Sequence, residues 1–288
     1  MLLSTNTEFY PRKIGFEKTI EKYAQTGFDA YDISLFDMPS DNFWFGKDDY
    51  ENKAATLRKI AEKNKIICNQ AHAPFPSHKD GDEIWNTNIK EYFERSLKIS
   101  AALGAKVCVI HPWNDWEAKR NAEEVFLPLK PLADKLNVKI GVENMWNWNM
   151  KEDRILSAAC SSPDDFVKHL ELLPKETFGA CLDIGHSEMF DEYNAPDFIG
   201  ALNDRLIALH VHDNDCVYDL HYFPYMGTID WEKIYESLAK IDYKGDLTFE
   251  ADHTFYRYPD ELSDKLLALL CSTGRTMIEK IDGYKKSL

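Results

Sequence analysis

With 288 residues, 44% of them hydrophobic and 29% charged, the chain has the make-up of a globular protein of one large or two small domains. Its formal net charge of −15 argues against nucleic acid as a partner. Affinity for phosphates comes largely from Lys and Arg displacing counterions, and no Lys/Arg cluster offers a basic groove. No apolar run approaches the roughly 18 to 20 residues of a membrane span, so no membrane partner is expected.

The opening MLLSTNTEFYPRK lacks the basic start and long apolar core of a secretory signal. Within it LLST (2–5) reads as a first strand, and a helical pattern over 14–26 follows and stops at a glycine. AYDISL (30–35) precedes a helical pattern at 50–64, and IICNQA (66–71) one at 83–103, again closed by a glycine. KVCVIH (106–111) is followed by 117–136, and KIGVEN (139–144) by 162–173, which is entered through Ser-Pro-Asp-Asp at 162–165. FGACLD (178–183) leads to 195–203, LIALHVH (206–212) to 231–241, and DLTFEA (246–251) to a last helix over about 259–282.

Eight strands alternating with eight helices, with no linker or low-complexity segment, predict one TIM-barrel domain, a (β/α)8 barrel over 1–288. The alternative is a doubly wound open sheet. Its dinucleotide-binding version needs a glycine-rich turn after the first strand, and Ser4-Thr5-Asn6-Thr7 offers none. The six cysteines are scattered without a CxxC pair, and Cys108 and Cys181 lie in apolar strand-like runs. Reduced, buried thiols and a cytoplasmic location are therefore expected.

In a barrel enzyme the site forms at the C-terminal ends of the strands. His72 follows strand three, and His111 ends strand four. Glu143, Asp183, His212 and Glu250 end strands five, six, seven and eight. Carboxylates converging there lose hydration and repel one another unless a cation or bound protons offset them. Glu143, Asp183 and Glu250 thus imply a divalent metal with His212 as nitrogen ligand. This oxygen-rich set suits Mn²⁺ first, with Mg²⁺, Co²⁺ or Zn²⁺ as alternatives. The stretch ALHVHDNDCVYDLH (208–221) adds His210, Asp213, Asp215, Asp219 and His221. His210 points to the same side as His212, one layer lower, and reads as a core histidine behind the ligands. Asp215 reads as orienting His212 or a loop, and Asp213 equally well as surface.

The series QAHAPF (70–75), VIHPW (109–113), VEN (142–144), LDIGH (182–186), HVHDND (210–215), DLH (219–221) and FEA (249–251) resembles the xylose isomerase-like barrel superfamily. That group holds sugar and sugar-phosphate isomerases, ketose 3-epimerases, inosose dehydratases and apurinic endonucleases of the endonuclease IV kind. The resemblance runs in order from strand three to strand eight. It implies Glu143, Asp183, His212 and Glu250 as ligands of one divalent metal and His186 as a substrate-contacting histidine. By the same resemblance Glu143 and Glu250 would double as the acid and base that move a proton next to a ketose carbonyl, through an enediolate. In the endonuclease branch the positions of His72, His111, His186, Asp219 and His221 bind further zinc ions, and all five residues are present here. Asp219 and His221 read equally as a hydrogen-bonded loop clasp.

Trp44, Trp113, Trp116, Trp146 and Trp148 fall in segments after strands, together with Phe43, Phe45, Phe75, Tyr222, Phe223 and Tyr225. Trp113 and Trp146 are expected to stack on a sugar. These rings would serve equally as loop core or as a patch joining the copies of a homo-oligomer. Two departures stand against a plain ketose 3-epimerase. Its Glu six positions after the first metal Glu is Asn149 here, and its Arg six positions after the metal His is Tyr218. The expected function is a metal-dependent isomerase or epimerase of a small sugar or sugar derivative. The alternatives are a zinc phosphodiesterase acting at abasic DNA and a barrel that has become a binding subunit.

Overall fold

The computed structural model describes residues 1–46 and 49–288. Ten strands occur among them: β1 (Leu3–Asn6), β2 (Ala30–Ser34), β3 (Ile67–His72), β4 (Val107–Ile110), β5 (Lys139–Glu143), β6 (Trp146–Asn149), β7 (Arg154–Ser157), β8 (Phe178–Asp183), β9 (Leu206–His210) and β10 (Leu247–Phe249). Eight of them form one parallel sheet in the order β10-β1-β2-β3-β4-β5-β8-β9, and β6 and β7 form a separate antiparallel hairpin. The sheet closes just past the end of β9, where Val211 N–H donates to Thr248 O at 2.9 Å and Glu250 N–H to Val211 O at 3.1 Å. This is a (β/α)8 TIM barrel, with the eight strands where the hydrophobic runs predict them.

The intervening helices carry the expected punctuation. Gly27 and Gly104 end Phe16–Thr26 and Glu83–Leu103 in the left-handed conformation. Ser162 caps Pro163–Glu171 by accepting from Asp165 N–H. Asn194 and Asp197 form a reciprocal capping box on Ala195–Leu202.

Two local predictions fail. The segment 117–136 is not one α-helix: it runs as Ala118–Asn121, a π turn at Ala122–Phe126, a 3₁₀ turn at Leu127–Leu129, and α again at Lys130–Leu136. Pro128 and Pro131 lack N–H donors, so the i→i−4 ladder cannot run through. The β6–β7 hairpin, with Trp146 opposite Ser157 and Asn149 opposite Arg154, is absent from the sequence reading.

Most of the apolar core lies between sheet and helices, while the barrel interior keeps only a small cluster of Val109, Cys181 and Ala208 with Val107. The rest of that interior is polar. Ser4, Asp32, Asn69, Gln70, Thr248 and His210 are all buried there, where many barrels place branched apolar side chains. No helix among the described residues is long and apolar enough to cross a membrane, and all six cysteines are free.

Candidate functional site

The barrel rim gathers every residue predicted for the metal centre. His72, Glu143 and Asp183 are the last residues of β3, β5 and β8. His111, His212 and Glu250 follow β4, β9 and β10 by one or two positions. All six are buried, Asp183 and His212 completely. Asn144 joins two of these strand ends: its amide donates to Asp183 O at 2.9 Å and accepts from Asp183 N–H at 2.7 Å. The sequence reading quoted Asn144 but assigned it no role.

Glu143 is the hub. Its Oε2 lies 3.1 Å from His72 Nε2 and 3.0 Å from His111 Nε2, and its Oε1 lies 3.0 Å from His210 Nδ1. The same His210 nitrogen stands 2.9 Å from Glu250 Oε2. On the other flank Asp183 Oδ1 is 2.9 Å from His212 Nε2 and accepts from His186 N–H at 2.7 Å. Asp219 then meets three imidazoles: its Oδ2 is 3.3 Å from His186 Nε2, and its Oδ1 is 3.1 Å from His221 Nε2 and 3.5 Å from His212 Nε2. The donor atoms of Glu143, Asp183, His210 and Glu250 lie within 4.8 Å of one another, as do those of His72, His111 and Glu143, and those of His186, His212, Asp219 and His221. His212 therefore touches the centre through Asp183, and it is His210 that stands between the two glutamates.

The imidazoles are oriented from behind. His72 Nδ1 faces Ala73 O at 2.9 Å, His186 Nδ1 faces Asn144 O at 2.9 Å, and His221 Nδ1 faces Glu250 O at 2.7 Å. An Nδ1–H donated to a carbonyl leaves the Nε2 lone pair turned toward carboxylate oxygens, an arrangement that a cation between them satisfies. Asp183 Oδ2 is buried without a hydrogen-bond partner, which suits a carboxylate oxygen that binds a cation. The donor set thus fits a divalent metal. Burial is the largest single influence and would raise the Glu143 and Glu250 carboxyls, but the surrounding imidazoles, His210 foremost, together outweigh it and hold both below the usual range. At His111 burial dominates and lowers the imidazole, which keeps it neutral and able to coordinate.

A cavity of about 340 Å³ opens onto this cluster, walled by Phe75, Met145, Trp146 and Trp148 with Asn114 and Asn147 among them. No Lys or Arg occurs among the described residues that line it. Trp146 stands in the wall as predicted, but Trp113 does not line the cavity. Its ring packs 5.5 Å from His78, because the buried Asn121 side chain accepts from Trp113 N–H and donates to the carbonyls of Trp113 and Trp116. Trp148, brought in by the hairpin, lines the cavity instead, with Tyr218 tilted against it at 5.3 Å. Phe75 stacks on His111 at 4.8 Å. Asp215 tethers its loop by accepting from Val217 and Tyr218 N–H. Asp213 is not surface: fully buried, it accepts from Tyr225 and Ile229 N–H and from the Trp231 indole.

Residues 20–272 match the family described as xylose isomerase-like TIM barrel. The chain belongs to this family. Among relatives of this xylose isomerase-like barrel, an uncharacterized protein of Sinorhizobium fredii is 31% identical over 175 residues, 56% of this chain. The match spans 51% of that relative's length. An uncharacterized protein of Methanocaldococcus jannaschii is 25% identical over 241 residues, 69% of this chain and 79% of its own. Among solved structures, D-psicose 3-epimerase in the presence of D-fructose superposes with a TM-score of 0.72 at 18% identity, covering 96% of this chain and 99% of that one. L-ribulose 3-epimerase gives 0.73 at 16%, covering 99% and 96%. At these identities the likeness shows the fold.

Proposed function

We propose that this xylose isomerase-like barrel is a metal-dependent isomerase or epimerase of a small, unphosphorylated sugar. The observation that carries the reading is the pair Glu143 and Glu250, both joined to one histidine nitrogen at the mouth of an aromatic-walled cavity. A cavity of about 340 Å³ is the size of a monosaccharide site. Its three carboxylates and lack of Lys or Arg disfavour a phosphate group. The named solved structures, ketose 3-epimerases on the same fold, support the class.

Glu143, Asp183, His212 and Glu250 would hold the ion, Mn²⁺ first, whose chemistry is Lewis-acid polarisation of a carbonyl and a neighbouring hydroxyl. Trp146 and Trp148 pack on the apolar face of the sugar and exclude water, and Asn114 and Asn147 offer amides to its hydroxyls. One of Glu143 and Glu250 takes the proton next to the carbonyl, and the other carboxyl returns a proton to the opposite face of that carbon for epimerisation, or a proton goes back to the neighbouring carbon for isomerisation. His186, held by Asn144 O and Asp219, contacts a substrate oxygen.

The test is turnover of D-psicose, D-tagatose, D-fructose and L-ribulose in D₂O with Mn²⁺, read by NMR. Solvent deuterium should enter the carbon next to the carbonyl of at least one sugar. Glu250→Gln should reduce that exchange by more than the roughly 10²-fold typical of losing one acid or base.

A second reading has its own observation. The groups His72–His111–Glu143 and His186–His212–Asp219–His221 could hold two further ions, as a multinuclear zinc phosphodiesterase acting at abasic DNA requires. The net charge of −15 opposes it. Three bound zinc ions, with abasic-site DNA cleaved and no deuterium entering any sugar, would establish that reading over the first.

A further inference from the structure

Beneath the two glutamates lies a buried carboxylate that the proposed reaction does not use. Asp32 on β2 is almost wholly inaccessible, and so is His210. Asp32 Oδ2 accepts from the Gln70 side-chain amide at 3.1 Å and stands 3.6 Å from His210 Nε2. Its Oδ1 has no hydrogen-bond partner and neither has His210 Nε2, so the 3.6 Å approach is an electrostatic contact rather than a hydrogen bond. One neutral amide does not compensate a carboxylate removed from water, so the imidazole is the partner that makes this burial tolerable.

The backbone is shaped for this encounter. Pairing of β2 with β3 slips by one residue between Tyr31 and Asp32, which leaves Asn69 unpaired and sets Asp32 beside Gln70. Pairing of β8 with β9 slips between Ala180 and Cys181, which sets His210 beside Asp183. Bulges of this kind re-aim side chains next to sites. The ring is held a third way, stacked on His72 at 5.2 Å with planes 16° apart.

We infer that Asp32, oriented by Gln70, is a positioning residue: it locks the His210 ring so that Nδ1 faces Glu143 and Glu250 and holds the two carboxylates in fixed register. The inference rests on the metal-centre reading above. Without Asp32 the ring loses the hold on its Nε2 side and keeps only the glutamates and the His72 stack, so the group that keeps the two carboxylates together is less firmly placed. Changes behind a metal's ligands typically cost 10- to 100-fold in affinity.

Mn²⁺ affinity of the full chain, measured by calorimetry, tests this without any substrate. Asp32→Asn should weaken Mn²⁺ binding by about 10- to 100-fold while the thermal unfolding midpoint shows a folded protein. His210→Gln should weaken it at least as much. Because Asp32 acts through His210, the double variant should bind no more weakly than His210→Gln alone. A folded Asp32→Asn within twofold of the parent, or losses that multiply in the double variant, would overturn the inference. Should Asp32→Asn not fold, Gln70→Met decides: a several-fold loss supports positioning, and unchanged affinity refutes it. A parent protein that binds no Mn²⁺ removes the metal centre itself, and the positioning role with it.

Discussion

Gly185 offers a test of the site's packing in which one methyl group is the whole perturbation. A Cβ built on Gly185 falls 1.9 Å from His212 Cε1 and 2.4 Å from its Nε2. Non-bonded carbons settle at roughly 3.5 to 4.0 Å, so the ring must retreat by about 1.5 to 2 Å. Its contact with Asp183 Oδ1, now 2.9 Å, cannot survive that retreat. Losing a hydrogen bond to a charged group costs about 1.5 to 3 kcal/mol, and overpacking adds about 1 to 3. The helical gain of Ala over Gly, at most about 1 kcal/mol and less in the one-turn helix Ile184–Ser187, offsets little. Gly185→Ala should therefore destabilise the fold by about 2 to 5 kcal/mol and weaken Mn²⁺ binding by at least the roughly 100-fold that marks the upper end of changes behind the ligands. Gly200→Ala is the matched control. It sits exposed in Ala195–Leu202 with nothing within 4 Å of the added carbon, and should stabilise by about 0.5 to 1 kcal/mol. Urea unfolding and Mn²⁺ titration of both variants provide the assay. If Gly185→Ala unfolds at the parent midpoint with parent metal affinity, His212 does not pack on Gly185 and the described rim is wrong.

His221→Ala separates the loop clasp from a second ion: partial loss of activity with the first metal retained is expected, and elemental analysis of both proteins checks it. A second ion present in the parent and missing from the variant would reject the clasp. Glu8, just past β1, gives a pH signature, because burial and the neighbouring Asp252 push its carboxyl up to about 8, although Arg12 opposes them. The native state then holds a proton that the unfolded chain, titrating near 4.5, has released, so stability falls as pH rises from about 4.5 to 8. At 1.36 kcal/mol per tenfold difference in proton affinity, the ceiling on that loss is about 5 kcal/mol. Glu8→Gln should flatten this part of the urea-midpoint profile and be the more stable protein at pH 8.5. Parallel profiles for the two proteins would sink the assignment.

The barrel was legible because its strands are short apolar runs at even spacing, and the rim because metal-capable residues fall at six successive strand ends. Sequence distance could not rank His210 against His212. Both face inward at the end of β9 or just past it, and only the one-residue slip in the β8–β9 pairing and the side-chain directions set His210 between the glutamates. Trp113 was misplaced because its direction depends on Asn121, eight residues on in a segment whose two prolines break the predicted helix. The hairpin had a usable signal, the period-two alternation Trp-Asn-Trp-Asn at 146–149, but four residues are too few to separate a strand from a loop. Asp213 resembled surface because its partners, Tyr225, Ile229 and Trp231, lie 12 to 18 residues downstream.

The seam of the barrel has a consequence for how the molecule breathes. Seven of the eight strand junctions are ladders between the strands themselves, two of them with a one-residue slip, whereas β9 and β10 meet beyond the end of β9, through the Val211 and Glu250 amides. Those amides flank His210, His212 and Glu250, the very side chains that face the centre. Opening of the wall therefore starts where a ligand would sit, and the Val211 and Glu250 amide protons should be among the first in the sheet to exchange with solvent. Whatever bridges Glu250 to the far strands acts as a rivet across that gap. Occupancy of the site and closure of the barrel become one equilibrium, in which a bound ion slows exchange at the seam far more than at β3 or β4 on the opposite wall.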